Sequence, residues 1–214
     1  MSFFNIPGLN ILSAKPGSGK SSLIKFELYK GAVNKKYDYA IIFTKNIDDD
    51  YDKIIDEKFI YYNFTDKDFA RILKYQQEHN NNQDGPRLLL IFDDVIGSID
   101  FNSKLMTILV TRYRHFNIGV VFSTQYIIRI PSTIRECASK SFIFYQETKN
   151  SIKACYESYG QSFLSLTKFK EYLLKNTDNY QFIVVNGKNK SLSEKYEIKK
   201  IDINSIPKDV KIEW

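Results

Sequence analysis

The residues with the clearest chemical meaning form one short segment near the start of the chain, Ala14-Lys15-Pro16-Gly17-Ser18-Gly19-Lys20-Ser21. An apolar run at 9–12 precedes this segment, and a helical pattern over 22–28 follows it. A strand, a glycine-rich turn and a Gly-Lys-Ser that opens a helix are typical of a P-loop. The backbone N–H groups of such a turn and the helix N-terminus attract phosphate oxygens, so the segment predicts a site for ATP.

Each member of this segment has an expected part in binding the nucleotide. We expect 14–22, which includes Ser22, to surround the phosphates. Lys20 would bring a point charge to the β- and γ-phosphates, and the Ser21 hydroxyl would be a ligand of Mg²⁺. Ala14 stands where a glycine is usual, and a small residue with negative φ is compatible with that position. The alternative is a chance Gly/Ser turn before a helix.

A second segment, Leu88-Leu89-Leu90-Ile91-Phe92-Asp93-Asp94, is an apolar run that ends in two carboxylates. An unbroken apolar run predicts a strand buried on both faces, as in parallel sheets. Acids at the carboxyl end of such a strand are typical of a Walker B motif, because α/β sheets bind ligands at that edge. Asp93 would then hold Mg²⁺, and Asp94 would orient the attacking water. The alternative is an acidic turn after a core strand.

A third strand is predicted at 118–125, ending in Ser123, Thr124 and Gln125. In P-loop folds the strand after Walker B commonly lies between the P-loop strand and the Walker B strand. Gln125 would then face the γ-phosphate and could report its hydrolysis. Arginines surround this strand at Arg112, Arg114, Arg129 and Arg135. An arginine can stabilise the phosphoryl-transfer transition state, and salt bridging or nucleic-acid contact is the alternative for each.

Composition limits the class of protein. The chain has 214 residues, 43% of them hydrophobic, and a formal net charge of +6, which is compatible with a polyanionic partner. Its two cysteines, Cys137 and Cys155, lack metal-ligand spacing and predict a reducing compartment. We find neither an apolar stretch of about 18 residues nor a signal peptide. These features predict a soluble intracellular protein without a membrane segment.

Strand and helix patterns alternate along most of the chain. This alternation predicts an α/β fold, a three-layer P-loop NTPase of the RecA/ASCE-like kind with a mostly parallel central sheet. We assign 1–146 to a P-loop ATPase core. The region 147–214 contributes helices, a strand and a tail that either complete the core or are appended to it. Its last part, 191–214, is only weakly patterned.

Together these motifs resemble the FtsK–HerA superfamily of DNA-pumping ATPases, and more closely the poxvirus A32-type genome-packaging ATPases of large DNA viruses and virophages. The resemblance extends over 8–146. It rests on the P-loop, on Leu90-Ile91-Phe92-Asp93-Asp94-Val95, on 114–125 with its Arg114-His115 start and Gln125 end, and on Ile130-Pro131-Ser132-Thr133-Ile134-Arg135. The departures are Ala14 and Asp94, where many superfamily members carry Gly and Glu.

The resemblance implies a ring-forming ATPase, a pentamer or hexamer, that uses ATP and Mg²⁺ to thread double-stranded DNA into a preformed capsid. It also implies capsid or portal partners and a location in the virion or the infected-cell cytoplasm. In the family, a glutamine like Gln125 senses the γ-phosphate. An arginine that matches Arg114 is the best candidate for a finger acting in trans, and Arg135 is the second.

Three other functions fit parts of the sequence. A HerA/FtsK-like cellular or plasmid DNA translocase would keep the superfamily and change the task. A small P-loop nucleotide kinase fits the chain length, but the chain lacks an Arg-rich lid segment after the core. A non-catalytic nucleotide-binding module would not need the full set of Lys20, Ser21, Asp93, Asp94 and Gln125.

Overall fold

The computed structural model describes residues 2–80, 84–187, 192–207 and 211–214. Its centre is an eight-stranded sheet in the order β3-β2-β4-β5-β1-β6-β7-β8. The strands are β1 (Gly8–Ser13), β2 (Tyr39–Thr44), β3 (Ile60–Tyr61), β4 (Leu88–Asp93), β5 (Ile118–Thr124), β6 (Lys140–Ile143), β7 (Gln181–Asn186) and β8 (Tyr196–Lys200). Strands β1 to β6 run parallel, and β7 is antiparallel to both of its neighbours. The mostly parallel sheet predicted from the sequence is confirmed.

Helices cover both faces of this sheet and make the three layers. The helices are α1 (Lys20–Val33), α2 (Asp66–His79), α3 (Lys104–Arg112), α4 (Ser132–Glu136), α5 (Lys149–Tyr159), α6 (Leu166–Asn176) and α7 (Leu192–Lys195). Helix α1 packs on one face together with the N-terminal residues and the C-terminal tail. Helices α2, α3, α5 and α6 pack on the other face. Each face therefore has its own hydrophobic core.

Three central strands explain where the ligand-binding edge lies. Every residue of β1, β4 and β5 is buried, which is why their sequences are nearly continuous apolar runs. Strand β5 lies between β1 and β4, with Leu12 beside Ser123 and Asp93 beside the same residue on the other side. The carboxyl ends of these strands thus meet at one edge of the sheet, and the predicted order is confirmed.

The C-terminal region continues the same sheet. Strand β7 pairs with β6, placing Phe142 opposite Val184, and β8 pairs with β7. The sequence pattern had indicated little structure in the tail, and β8 corrects this expectation. Beyond β8 the chain crosses to the far edge of the sheet, where the Ile212 N–H donates to the Ile54 carbonyl at 2.7 Å. Residues 188–191 and 208–210 of this region lie outside the described residues.

Two of the compositional expectations can be compared with the structure. Cys137 is exposed, Cys155 is buried, and both are free thiols. Across the described parts of the chain, none of the helices combines the length and the apolar character that a membrane span requires.

Candidate nucleotide site

The P-loop begins where β1 ends and closes where α1 starts. Gly17 and Gly19 have φ of 76° and 105°, values that residues other than glycine rarely adopt. Gly19 caps α1 without a side chain, so the first N–H groups of the helix face the site without a side-chain acceptor at the cap. Ala14 is fully buried, and it is not one of the described residues with a positive φ. Its N–H donates to the Thr124 carbonyl at 3.1 Å. Alanine therefore fits this position, as we expected.

Lys20 extends from the first turn of α1 to the two acids that follow the Walker B run. Its ammonium lies 3.1 Å from the Asp93 carboxylate and forms a second ion pair with Asp94. Burial alone would lower the pKa of Lys20, but the charge of Asp93 and the hydrogen bond to Asp94 outweigh it and raise the pKa. Lys20 thus remains charged and joins the two sequence motifs.

Asp93 is the innermost acid of the site, with a fully buried side chain. One oxygen accepts a hydrogen bond from the Tyr51 hydroxyl at 2.7 Å, and the other oxygen, Oδ1, faces the Lys20 ammonium at 3.1 Å. The Ser21 side chain lies close to the Tyr51 phenol as well. Burial, followed by the charge of Asp93, raises the pKa of Tyr51 well above its usual value, so the phenol stays a donor. A buried carboxylate and a serine hydroxyl near the same phenol are a donor set that fits Mg²⁺.

Asp94 and Gln125 follow the carboxyl ends of β4 and β5. Asp94 has a φ of 55°, a left-handed conformation that aspartate tolerates better than most residues, and its side chain is 26% exposed. Its carboxylate pairs with the Lys20 ammonium, as that of Asp93 does, but from a more exposed position. Gln125 is half-buried and lines the same cavity as Asp94. Two groups that could orient a water molecule therefore face one space.

That space is a cavity of 380 Å³ at the carboxyl edge of the sheet. It is lined by Lys15, Pro16, Gly17, Gly19, Lys20, Ser21, Ser22, Asn46, Asp49, Asp94, Gln125 and Tyr180. Of the predicted P-loop and Walker B residues, Ala14 and Asp93 are fully buried and Ser18 lines a neighbouring cavity, so none of the three lines this one. Three lining residues, Asn46, Asp49 and Tyr180, belong to none of the motifs in the sequence. Asn46 and Asp49 follow the carboxyl end of β2 at the same edge of the sheet. Their position after a predicted strand is the only feature of the sequence that could have indicated them.

The predicted arginines lie outside this cavity. Arg114 is exposed before β5 begins, at the amino edge of the sheet, about 20 Å from the phosphate edge by the length of the strand. Arg135 is half-buried, and its guanidinium donates to the Ile127 carbonyl at 3.3 Å, just after Gln125. Arg129 lies at the phosphate edge itself, with its guanidinium 5.4 Å from the ring centre of Tyr126. Neither predicted finger therefore lines this cavity.

With this geometry established, comparison with known families identifies the chain. The profile of the family described as Poxvirus A32 protein matches residues 8–185. The chain belongs to this family. Protein 015R of Frog virus 3 (isolate Goorha), described as uncharacterized, is 28% identical over 137 residues. That match covers 63% of this chain and 42% of the frog virus protein, so the A32-family chain matches less than half the length of that relative.

Solved structures with the same fold include B204, a protein of two Sulfolobus viruses. B204 from Sulfolobus turreted icosahedral virus, described as a DNA-packaging ATPase, superposes with a TM-score of 0.67 at 18% identity, covering 92% of this chain and 99% of B204. B204 from Sulfolobus turreted icosahedral virus 2 in complex with ATP-gammaS gives 0.67 at 17% identity, covering 90% and 96%. The predicted P-loop NTPase fold and the A32-type resemblance are both confirmed.

Proposed function

We propose that this A32-family chain is an ATP-driven motor that moves double-stranded DNA into a viral capsid. The observation that carries the proposal is the convergence of Lys20, Asp94 and Gln125 on one cavity from three separate elements. In support, B204, which shares the fold, is described as a genome-packaging NTPase and has been solved with AMP and ATP-gammaS. A nucleotide-binding module without catalysis would not need an acid and an amide facing the terminal phosphate.

The chain's own residues divide the work of binding the triphosphate. The P-loop N–H groups and the N-terminus of α1 would hold the β- and γ-phosphates, and Lys20 would exchange its carboxylate partners for phosphate oxygens. Ser21 and Asp93 would hold Mg²⁺, with Tyr51 fixing the orientation of Asp93. Bound Mg²⁺ would supply positive charge that offsets the charge developing on the transferred phosphoryl group.

Asp94 is the proposed group that orients the attacking water. It is less buried than Asp93, and it forms an ion pair with Lys20 beside the cavity. Gln125 would contact the same water or the γ-phosphate through its amide. Since Gln125 precedes the turn at Ile127–Arg129, loss of the γ-phosphate would change the contacts of a segment that Arg135 also holds.

The site is completed by a second subunit in this proposal. A ring, pentamer or hexamer, is built from heterologous contacts, in which one surface of a subunit meets a different surface of the next. An arginine that acts in trans must therefore lie away from its own phosphate cavity. Arg114, exposed at the opposite edge of the sheet, meets this requirement, and Arg135 is the second candidate. Arg129 follows the carboxyl end of β5, where it is exposed and stacks on Tyr126, so it is the candidate for a contact within its own subunit.

The remaining partners follow from the proposed task. Double-stranded DNA would bind through phosphate contacts favoured by the net charge of +6. Capsid or portal proteins would anchor the ring, in the virion or the infected-cell cytoplasm. We also propose that 147–214 completes the ATPase core of 1–146, because β7 and β8 extend its sheet.

The deciding experiment is steady-state ATP hydrolysis by the purified full chain, with and without double-stranded DNA, over a range of salt concentrations. We expect hydrolysis that DNA stimulates and that salt weakens. Lys20→Ala should abolish it, whereas Lys30→Ala, at the other end of α1, should not. Hydrolysis indifferent to DNA, or phosphate transfer to a nucleoside monophosphate, would contradict the motor and favour a kinase.

A further inference from the structure

The turn that leads into β7 contains two consecutive residues in a left-handed backbone conformation. Asn179 has a φ of 50° and Tyr180 a φ of 61°. Asparagine adopts this conformation readily, but for a bulky aromatic residue it is a genuine outlier. Such conformations persist where the surrounding structure enforces them, and they concentrate at ligand sites.

The Tyr180 ring is held in place by the P-loop. It packs against the P-loop at Gly19, where an added Cβ would lie 2.9 Å from the Tyr180 Cδ1 and 3.4 Å from the Phe144 ring. The absence of a side chain at Gly19 thus allows the tyrosine ring to contact the P-loop backbone. Tyr180 nevertheless remains 41% exposed, so part of its ring is open to a ligand.

This ring separates the phosphate cavity from a neighbouring one. Tyr180 lines the 380 Å³ cavity and also a second cavity of 340 Å³. The second cavity is lined by Lys15, Pro16, Gly17, Ser18, Tyr145, Thr177, Asp178, Asn179 and Tyr180. It lies on the β6 and β7 side of β1, whereas the acids after β4 lie on the other side. A ligand whose phosphates occupy the first cavity can therefore extend past Tyr180 into the second.

The chemistry of the second cavity suits a flat, heteroaromatic group. Tyr145 also lines it, but its ring carries the ammonium of Lys15 at 5.7 Å, and Lys15 pairs with Glu147 at 2.5 Å. Tyr180 is the tyrosine of this cavity with the larger exposed fraction. The exposed carboxylate of Asp178 and amide of Asn179 bring hydrogen-bonding groups to the same rim.

We propose that Tyr180 is the stacking platform for the base of the bound nucleotide. This inference rests on the proposed function, because it assumes a nucleoside triphosphate in the phosphate cavity. Stacking on an aromatic side chain contributes about 1–3 kcal/mol per base in proteins that bind single-stranded nucleic acid, or roughly 5- to 150-fold in affinity. The left-handed turn at 179–180 holds the ring beside Gly19, where the nucleoside emerges from the P-loop.

The test compares a ligand that has a base with one that has none. Binding of β,γ-methylene ATP and of inorganic tripolyphosphate to the full chain is measured by calorimetry in the presence of Mg²⁺. We expect Tyr180→Ala to weaken the nucleotide by about 5-fold or more and to leave tripolyphosphate unchanged. Tyr180→Phe should bind both ligands like the wild type. Tyr126→Ala removes a tyrosine that is 50% exposed at the same edge and should change neither affinity.

Several results would overturn the inference. Equal losses of both ligands in Tyr180→Ala would mean that the ring only supports the P-loop at Gly19. A loss in Tyr180→Phe equal to that in Tyr180→Ala would assign the effect to the hydroxyl. A wild-type chain that binds both ligands equally would remove the base contribution and leave the proposed function standing. A wild-type chain that binds neither would overturn the proposed function as well. Thermal melting of each variant confirms that it is folded.

Discussion

The P-loop has two sides that are built by different means: a phosphate side, the cavity that Lys20 and Asp94 line, and a proposed base side, the cavity between Tyr145 and Tyr180. On the phosphate side, Lys20, Asp93 and Asp94 are joined by ion pairs, and Tyr51 holds the inner acid. On the base side, the exposed ring of Tyr180 is held by packing on Gly19 and by its own left-handed backbone. Charge fixes one half of the site, and chain conformation fixes the other.

The difference follows from the sheet. Parallel strands β4, β1 and β5 end at one edge, so groups that follow them meet without special loops. The base side instead receives β7, which is antiparallel and arrives at this edge with its first residue. The chain must therefore reverse its direction at this edge, and residues 178–180 form the turn that does so. Changes on the phosphate side should therefore affect catalysis, and changes on the base side should affect affinity.

The largest effect is expected outside both sides of the P-loop, at Arg114, the proposed trans-acting arginine. Arg114→Ala should lower DNA-stimulated ATP hydrolysis by about 10³-fold or more, because arginine fingers contribute about 10³–10⁵ to phosphoryl transfer. Mixing Arg114→Ala with the equally inactive Lys20→Ala should restore activity, since one subunit keeps an intact cavity and the other an intact arginine. Hydrolysis of the single variants and of their mixture is measured at matched total protein.

Arg129→Ala is the matched control for this mixing experiment. Arg129 lies at the phosphate edge of its own subunit, so any loss it causes should resist rescue by mixing. Arg135→Ala tests the second candidate in the same way. Activity of Arg114→Ala equal to the wild type would exclude Arg114 as the finger, and rescue seen only with Arg135→Ala would transfer that assignment.

The next largest effect is expected at Asp94. Asp94→Asn keeps the size of the side chain but removes the charge that orients water, so hydrolysis should fall by about 10²–10⁴-fold. Binding of β,γ-methylene ATP should persist, because the P-loop and Ser21 are unchanged. Asp100→Asn is the control, an exposed acid that caps the turn before α3. Loss of nucleotide binding in Asp94→Asn would instead show that Asp94 contributes to binding the nucleotide.

The phosphate side could be predicted from the sequence because its signals are local. The segment that ends in Lys20 and Ser21, and the apolar run that ends in Asp93 and Asp94, each carry their meaning within about eight residues. Parallel-sheet topology then brings the segments together. The alternation of strands and helices was enough to predict a three-layer fold for the same reason.

The remaining parts depend on contacts that are distant in sequence. Tyr51 reaches Asp93 across 42 positions from a loop that reads as merely acidic and polar. Tyr180 owes its importance to a backbone conformation that no propensity predicts for tyrosine. Strand β8 is short and charged, and it forms because β7 offers an edge to pair with. Tertiary contacts, rather than local patterns, determine all three.

A smaller effect is expected from removing the hydroxyl that holds the inner acid. Tyr51→Phe leaves a buried oxygen of Asp93 without its donor, which should lower the free energy of unfolding by about 1–3 kcal/mol. It should also raise the Mg²⁺ concentration needed for nucleotide binding, because Asp93 loses the hydrogen bond that orients its carboxylate. Chemical denaturation and Mg²⁺ titrations of β,γ-methylene ATP binding measure the two effects.

Tyr37→Phe separates stability from metal binding. Tyr37 is a buried tyrosine of the same core, and its hydroxyl donates to the Leu28 carbonyl, away from the site. The Tyr37→Phe variant should lose a similar amount of stability, while the Mg²⁺ concentration that it needs for nucleotide binding stays that of the wild type. If both variants shifted the Mg²⁺ requirement equally, the effect would report general stability, and Tyr51 would have no special part in positioning Asp93.

The smallest effect concerns the backbone of the base side. Asn179→Gly should stabilise the chain by less than about 1 kcal/mol, because glycine relieves a left-handed conformation that asparagine already tolerates. Lys35→Gly, at a φ of 50° in the exposed turn after α1, should gain more, since lysine tolerates that conformation less well. Thermal melting of both variants gives the comparison. If Asn179→Gly gained more than Lys35→Gly, the turn at 178–180 would be strained beyond its backbone angles, and packing of the Tyr180 ring on Gly19 would be the remaining source of that strain.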